Sequence, residues 1–337
     1  MPYLCLEFIV MQHKNVVIAC GGFSSEQEIS VQSGLTVWKN ISTKKWHIYL
    51  LRLSKTDWKL TAPNGQEIPF SRGDFSWTIG GQKIQPDVVF NAIHGAPGEN
   101  GQLAALLELL NIPQTSCEAY SAALTFNKRD CLSVVREKGI PTAKHLSIDQ
   151  GMPINYAAIG KQLGFPLFVK ANRAGSSFGV FKVYDEKALE KAINDAFNED
   201  SQLLLETALE GREVSVGAYR DAKGIIVLPL TEIISENDFF DYEAKYEGKA
   251  QEITPAKLPE KWTQMVSTQM KMLYETLGLR GVVRSEFIFV DGVPHLLEIN
   301  TVPGLTKASI IPQQLAAAKI DLGTFFEEQL HLALLKN

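Results

Sequence analysis

Apolar positions fall into short uninterrupted runs in the first third of the chain and into alternating runs later, and the two patterns predict different kinds of sheet. Asn15–Cys20 (NVVIAC) is an apolar run closed by Gly21-Gly22, and Glu26–Lys39 follows with apolar residues at helical spacing. The same order of strand, glycine turn and helix returns at Asp87–Ile93, His94–Gly101 and Gln102–Leu110. Strands alternating with helices predict a parallel sheet in this third. Asn127–Lys138 reads as a helix stopped by Gly139 and Pro141. Pro166–Lys170 and Val180–Tyr184 read as strands around the Gly/Ser-rich loop Asn172–Gly179, followed by helix Glu186–Phe197 and strand Gln202–Glu206. Alternating segments at Glu213–Arg220 and Ile225–Ile234 come next, and then Ser235–Gln251, which has no periodicity and reads as a long loop. Helix Lys261–Leu277, strand Val282–Val290, the turn Asp291-Gly292 and strand His295–Asn300 follow.

A chain of 337 residues accommodates two or three compact units, and the pattern changes place boundaries near 116 and 205. The units expected are 11–116, 117–205 and 206–337, with the loop 235–251 in the last. Internal repeats and low-complexity linkers are absent from the sequence.

Composition narrows the class. With 45% hydrophobic and 21% charged residues the chain has the make-up of a soluble globular protein. A net charge of −5 and scattered Lys and Arg exclude the basic field that nucleic acid or an anionic membrane requires. Cys5, Cys20, Cys117 and Cys131 lack C-x-x-C spacing, so they read as reduced thiols of a cytoplasmic protein and not as a disulfide framework or a zinc site. No apolar run approaches the roughly 18–20 residues that span a bilayer. Met1–Val10 is apolar but has neither a basic n-region nor a small-residue cleavage site, so Met11 is the expected start.

The last hairpin carries the strongest chemical signal, Arg284-x-Glu286 on one strand and Glu298-x-Asn300 on the other. Residues two apart share a strand face, so each strand presents a polar pair, with Phe287, Phe289, Leu297 and Ile299 on the opposite side. Two carboxylates and an amide oxygen suit a hard cation such as magnesium, whereas a solvated salt-bridged face is the plainer reading of either pair alone. The following Thr301-Val302-Pro303-Gly304 favours the metal site. A two-residue turn would put Glu286 opposite Leu297, on the wrong face from Glu298. A shared site therefore predicts a three-residue turn with Gly292 in a left-handed bulge, and a two-residue turn counts against it.

Two further stretches invite ligands. Lys170-Ala-Asn-Arg-Ala-Gly175-Ser176-Ser177-Phe-Gly179 can aim backbone N–H groups at phosphate oxygens, with Lys170 as a point charge, although it is not a P-loop. Gly21-Gly22-Phe-Ser-Ser-Glu26 lies where the first parallel strand ends, the usual crevice of α/β folds, and lacks the G-x-G-x-x-G of a dinucleotide site. Glu26 can bind an ammonium group there or serve only the helix N-terminus. His94, in the similar loop His94–Gly101, is either a site residue or a turn residue.

Taken in order, GGFSSEQEIS (21–30), IHGAPGENGQL (93–103), FNKRDCL (126–132), FPLFVKANRAGSSFGV (165–180), FFDYEAKY (239–246) and LLEINTVPGLTKASIIP (296–312) resemble the D-alanine–D-alanine ligase family of ATP-grasp enzymes. The likeness spans about 15–330. It implies an α/β ATP-grasp fold, in which an N-terminal parallel α/β substrate-binding domain precedes two α+β domains that enclose ATP. By that resemblance Lys128, Lys170 and Lys245 contact the nucleotide, Glu206 and Glu213 lie at its adenine and ribose end, and Thr207 and Leu209 offer backbone atoms to the adenine edge. Glu286, Glu298 and Asn300 would hold two Mg2+ ions, with Mn2+ as an alternative. Glu26 would hold the ammonium of the first D-alanine, and Arg284 with the Gly304 N–H would stabilise the oxyanion. His94, Ser309 and Ile310 would contact substrate, the last two at the carboxylate of the second D-alanine. Ser176 and Tyr246 would close the 235–251 loop over the site. Tyr246 implies amide synthesis, since family members with Phe there make the D-alanine–D-lactate ester. Asn100 departs from the acid that many members carry.

The resemblance implies ATP-driven joining of two D-alanine molecules for peptidoglycan precursors, through a D-alanyl phosphate, by a cytoplasmic homodimer. The rival readings are another ATP-grasp carboxylate–amine ligase, a D-alanine–D-lactate ligase, or a nucleotide-binding regulator without catalysis. Removing residues 1–10 is expected to leave folding and rate unchanged, measured by circular dichroism and turnover; loss of either contradicts Met11 as the start.

Overall fold

The structure is a computed structural model, and it describes residues 13–175, 179–235 and 250–335. Strand β1 (Lys14–Gly21) is the first apolar run, and Val16 to Cys20 are all fully buried. A strand covered on both faces cannot alternate, which is why its sequence reads as continuous apolar residues. Helix α1 (Gln27–Asn40) follows the glycine turn, and β2 (Trp46–Leu53), β3 (Trp58–Thr61) and β4 (Glu67–Ile68) extend the sheet. Strands β5 (Phe70–Ser71), β6 (Ser76–Ile79) and β7 (Gln82–Ile84) form a small separate sheet, and β8 (Val88–Asn91) returns to the first one. Its order is β4-β3-β2-β1-β8, with β1 parallel to both β2 and β8. The expected parallel sheet is thus present at the centre, while β3 and β4 add an antiparallel edge that the chain pattern did not indicate.

Helices α2 (Gln102–Leu109), α3 (Ala119–Phe126) and α4 (Lys128–Glu137) lead to β9 (His145–Asp149) and α5 (Tyr156–Leu163). Strands β10 (Leu167–Ala171) and β11 (Val180–Val183) pair antiparallel around the Gly/Ser-rich loop, as expected. Helix α6 (Glu186–Ala196) and strand β12 (Gln202–Thr207) complete an antiparallel sheet of order β11-β10-β12-β9. Apolar faces of α5 and α6 bury one side of it, with Leu167, Val169, Leu203 and Leu205 at 1% exposure or less.

The third sheet is built from β13 (Arg212–Asp221), β14 (Gly224–Val227), β15 (Thr231–Ser235), β16 (Ala250–Ile253), β17 (Val283–Val290) and β18 (Val293–Asn300), with α7 (Glu260–Thr276) between β16 and β17. The segment expected as one stretch over 225–234 is two strands, because β14 and β15 pair with opposite ends of the long β13. Helix α7 and the α3–α4 region bury one face of this sheet around Phe287, Val216 and Leu296. Helices α8 (Ile310–Ala317) and α9 (Leu322–Leu334) pack between the first and third sheets.

The β17–β18 hairpin corrects the predicted turn. Val290 pairs with Val293, so the turn is the two residues Asp291 and Gly292, at φ 49° and 79°. Left-handed conformations at both positions match the right-handed twist of the flanking strands and explain an Asp-Gly pair. Regular pairing continues to Phe287↔Leu296, and then the register slips by one residue, so that Glu286 faces Glu298. Leu297 is the extra residue, and it lines a cavity on the carboxylate side, away from the core face where the alternation put it. The carboxylates meet through a bulge inside the ladder, not through the turn.

Among the described residues no helix is long and apolar enough to cross a membrane. Cys20, Cys117 and Cys131 are buried and form no disulfide with one another.

Candidate active site

The second and third sheets face each other across a cavity of about 500 Å³, and a second cavity of about 250 Å³ opens beneath it toward the first sheet. Lys128, Ala174, Gly175 and Glu298 line both, so the two meet at one junction. Lys128 is aimed there by interlocked amides at the start of α4. Asn127 caps the helix by accepting from the Asp130 N–H, and its Oδ1 also receives Asn172 Nδ2 at 2.8 Å. Asn172 Oδ1 in turn accepts from Arg129 N. Lys128 Nζ then donates to the Ala174 carbonyl at 2.7 Å and lies 3.7 Å from Glu298 Oε2.

The larger cavity gathers the residues assigned to the nucleotide. Lys170 and Glu206 form a buried ion pair at 2.5 Å, on neighbouring strands of the second sheet. Burial presses the Lys170 ammonium toward its neutral form, but Glu206, with Glu298 and Glu213 behind it, outweighs this and holds its pKa above the usual lysine value. Thr207, Leu209 and Glu213 line the same cavity, and the Thr207 N–H is taken by the Lys144 carbonyl. On its third-sheet side, Arg212 grips Glu232 with two bonds of 2.6 and 2.8 Å.

The smaller cavity holds Glu26, His94, Arg284, Asn300, Gly304, Ser309 and Ile310. Glu26 sits where α1 begins, and Gly175 passes so close that a Cβ there would lie 2.5 Å from Glu26 Oε2. Arg284 Nη2 donates to Glu286 Oε1 at 2.8 Å, and Arg284 pairs with Asn300 across the ladder. Ser309 and Ile310 start α8, so the N-terminal end of that helix, favourable to an anion, borders the cavity. His94 is buried, with Nδ1 2.6 Å from the Val302 carbonyl and Nε2 2.9 Å from Ser33 Oγ. Both ring nitrogens are engaged by protein partners, and burial lowers the His94 pKa, which favours the neutral ring. Ser176, Lys245 and Tyr246 lie outside the described residues, as does 236–249 of the long loop; Ser235 ends β15, and Ala250 and Gln251 open β16.

Several site residues had no clear signal in the chain. Glu99 is buried beside Glu26, and its carboxyl accepts from the Gly95 and Val302 N–H groups. Burial first, and then Glu26, push its pKa up to about 8. Its neighbour Asn100 only accepts from Gln102 N at the start of α2. Lys182, on β11, joins the wall of the larger cavity, and Glu252, held by Gln313 Nε2 at 2.7 Å, joins the smaller one. Lys182 and Glu252 lie in strands of only four residues, too short for an alternation that could have marked them.

Glu286, Glu298 and Asn300 fit a hard cation by chemistry and place: oxygen donors on facing strands, Glu286 lining the larger cavity, Asn300 the smaller and Glu298 both. Among the described residues no group of three or more His, Cys, Asp or Glu is placed to hold a metal, so the carboxylate pair would need the Asn300 amide and ligand oxygens to complete a shell.

Two family descriptions match the chain, "D-ala D-ala ligase N-terminus" over residues 15–117 and "D-ala D-ala ligase C-terminus" over 134–330. A "D-alanine--D-alanine ligase" of Flavobacterium johnsoniae is 50% identical over 321 residues, covering 95% of this chain and 99% of that one. The solved D-alanyl-alanine synthetase A of Vibrio cholerae superposes with a TM-score of 0.86 at 29% identity, covering 96% of this chain and 99% of its own. The VanG D-Ala:D-Ser ligase of Enterococcus faecalis gives 0.85 at 28%, covering 96% and 100%.

Replacing Lys170 by Met strands the buried Glu206 carboxylate and is expected to cost about 3–5 kcal/mol in urea unfolding. The double change Lys170→Met/Glu206→Leu should recover most of that loss. Additive losses would show that the pair is not coupled.

Proposed function

The chain belongs to the D-alanine–D-alanine ligase family, and from that premise we propose that it joins two D-alanine molecules with ATP, through a D-alanyl phosphate formed where its two cavities meet. The meeting of the cavities at Lys128 and Glu298 carries this reading, because a phosphoryl group must pass from nucleotide to amino acid without crossing bulk water. In this reading ATP occupies the larger cavity between the two antiparallel sheets. Glu206 and Glu213 flank its adenine and ribose end, Thr207 and Leu209 present backbone to the adenine, and Lys128, Lys170 and Lys245 meet its phosphates.

The first D-alanine enters the smaller cavity with its ammonium at Glu26. Its carboxylate oxygen attacks the γ-phosphorus, the bond to the β-phosphate oxygen breaks, and ADP leaves the D-alanyl phosphate behind. Lysine charges offset the negative charge that spreads over the transferring group. The second D-alanine places its carboxylate at Ser309 and Ile310, the start of α8, and its amine attacks the acyl carbon. Arg284 and the Gly304 N–H then hold the oxyanion until phosphate departs. Ser176 and Tyr246 close the loop over the labile intermediate. Glu286, Glu298 and Asn300 would hold the two Mg2+ ions, whose chemistry when bound is neutralisation of phosphate charge.

We place the working units at 11–116, 117–205 and 206–337, acting as a cytoplasmic homodimer. His94 stands apart from the other assigned residues, because its nitrogens are spent on protein partners.

Phosphate release from ATP should depend on D-alanine and not L-alanine, and mass spectrometry should find D-alanyl-D-alanine, without ester when D-lactate is added. Arg284→Ala should lower kcat by about 100- to 1,000-fold, the scale of an oxyanion donor. Release with another acceptor only would overturn the substrate, and ATP binding without release would favour a regulator.

A further inference from the structure

We propose that Ser33 and His94 are positioning residues that clamp both ends of the 302–305 turn and so hold the Gly304 N–H in place for the amide-forming step. The inference rests on the reading of Gly304 as an oxyanion donor.

The direction of every bond in the clamp follows from its partners. The Val302 carbonyl can only accept, so His94 Nδ1, 2.6 Å away, carries the proton. In the neutral ring Nε2 is then an acceptor, and Ser33 Oγ at 2.9 Å donates to it. Ser33 Oγ keeps its lone pairs for the Leu305 N–H, which reaches it at 3.1 Å. The chain of bonds therefore leaves the turn at Leu305, passes through the serine and the histidine, and re-enters at Val302. Gly304 lies inside that closed circuit, next to Pro303, whose ring already fixes one backbone angle. Glu99 holds the other side of Val302 by accepting its N–H.

Ser30, one turn earlier on α1, shows what an ordinary buried serine does here. Its hydroxyl accepts from Gly21 N and donates to the Ala92 carbonyl, tying helix to sheet and nothing to the turn. Both serines are fully buried, yet only Ser33 spends its bonds on the His94 loop and the Gly304 turn. The helix that begins beside Glu26 thus also sets the far end of the substrate, linking the ammonium and oxyanion positions through one rigid element.

The two half-reactions separate this role from general loosening. Scrambling of a labelled β,γ-bridging oxygen in ATP, with magnesium and D-alanine present, reports formation of the acyl phosphate; dipeptide appearance reports the second step. Ser33→Ala should leave the scrambling rate and the KM of the first D-alanine unchanged while dipeptide formation falls by about 100-fold, the scale of an ångström's misplacement. Ser30→Ala, compared at equal loss of melting temperature, should disturb neither rate selectively. His94→Gln should likewise lower dipeptide formation far more than scrambling, and it decides the matter if Ser33→Ala does not fold. Equal loss of both rates, or loss of neither, in the clamp variants would overturn the proposal. Scrambling and dipeptide both absent from the unaltered protein would overturn the reaction reading first, and the clamp with it.

Discussion

Glu286 and Glu298 face each other because one residue, Leu297, has no partner in the β17–β18 ladder. A strand alternates faces with a period of two, so a single slip transfers every later residue to the opposite side. Before the slip, Phe287 and Leu296 pair on the core side; after it, Glu286, Glu298, Arg284 and Asn300 share the cavity side. The same slip brings Leu297 to the wall of the larger cavity. The tight Asp-Gly turn and the polar cluster both depend on this bulge, since each alone demands a different parity.

Around that junction the charges are arranged in opposed pairs. Lys170 is matched by Glu206, Arg284 by Glu286, and Lys128 approaches Glu298. Buried charges are stable only when paired, and each of these pairs contains a group that a nucleotide phosphate or a cation can take over. Glu206, with Glu298 and Glu213 behind it, thus keeps the buried Lys170 charged, as its raised pKa shows. One wall of the smaller cavity adds neutral bonds to these pairs: His94, Ser33 and the turn at Val302–Leu305 form a circuit of hydrogen bonds.

Much of this was legible in the chain, and the reasons for the remainder are physical. Strand β1, buried on both faces, announces itself as an apolar run, and the β10–β11 pair by its glycine-rich connection. Strands β3 to β7 are two to four residues long, too short for a period to register, so the antiparallel edge and the small sheet over 58–84 were invisible. The bulge was hidden because Leu296 and Leu297 are both apolar, and alternation cannot say which of two adjacent leucines faces the core. Glu99 lay inside a recognised loop, but its role depends on Val302, 203 residues away in sequence. The roles proposed for Lys245, Tyr246 and Ser176 rest on the family resemblance alone, since all three lie outside the described residues.

In the function proposed for this chain, Glu286 and Glu298 act as one cation site where the two cavities meet. Electron paramagnetic resonance of Mn2+ titrated into the protein with a non-hydrolysable ATP analogue tests it directly. Glu286→Ala and Glu298→Ala should each abolish the bound-manganese signal while the analogue still binds. Full manganese binding retained in either variant would contradict a site that needs both carboxylates.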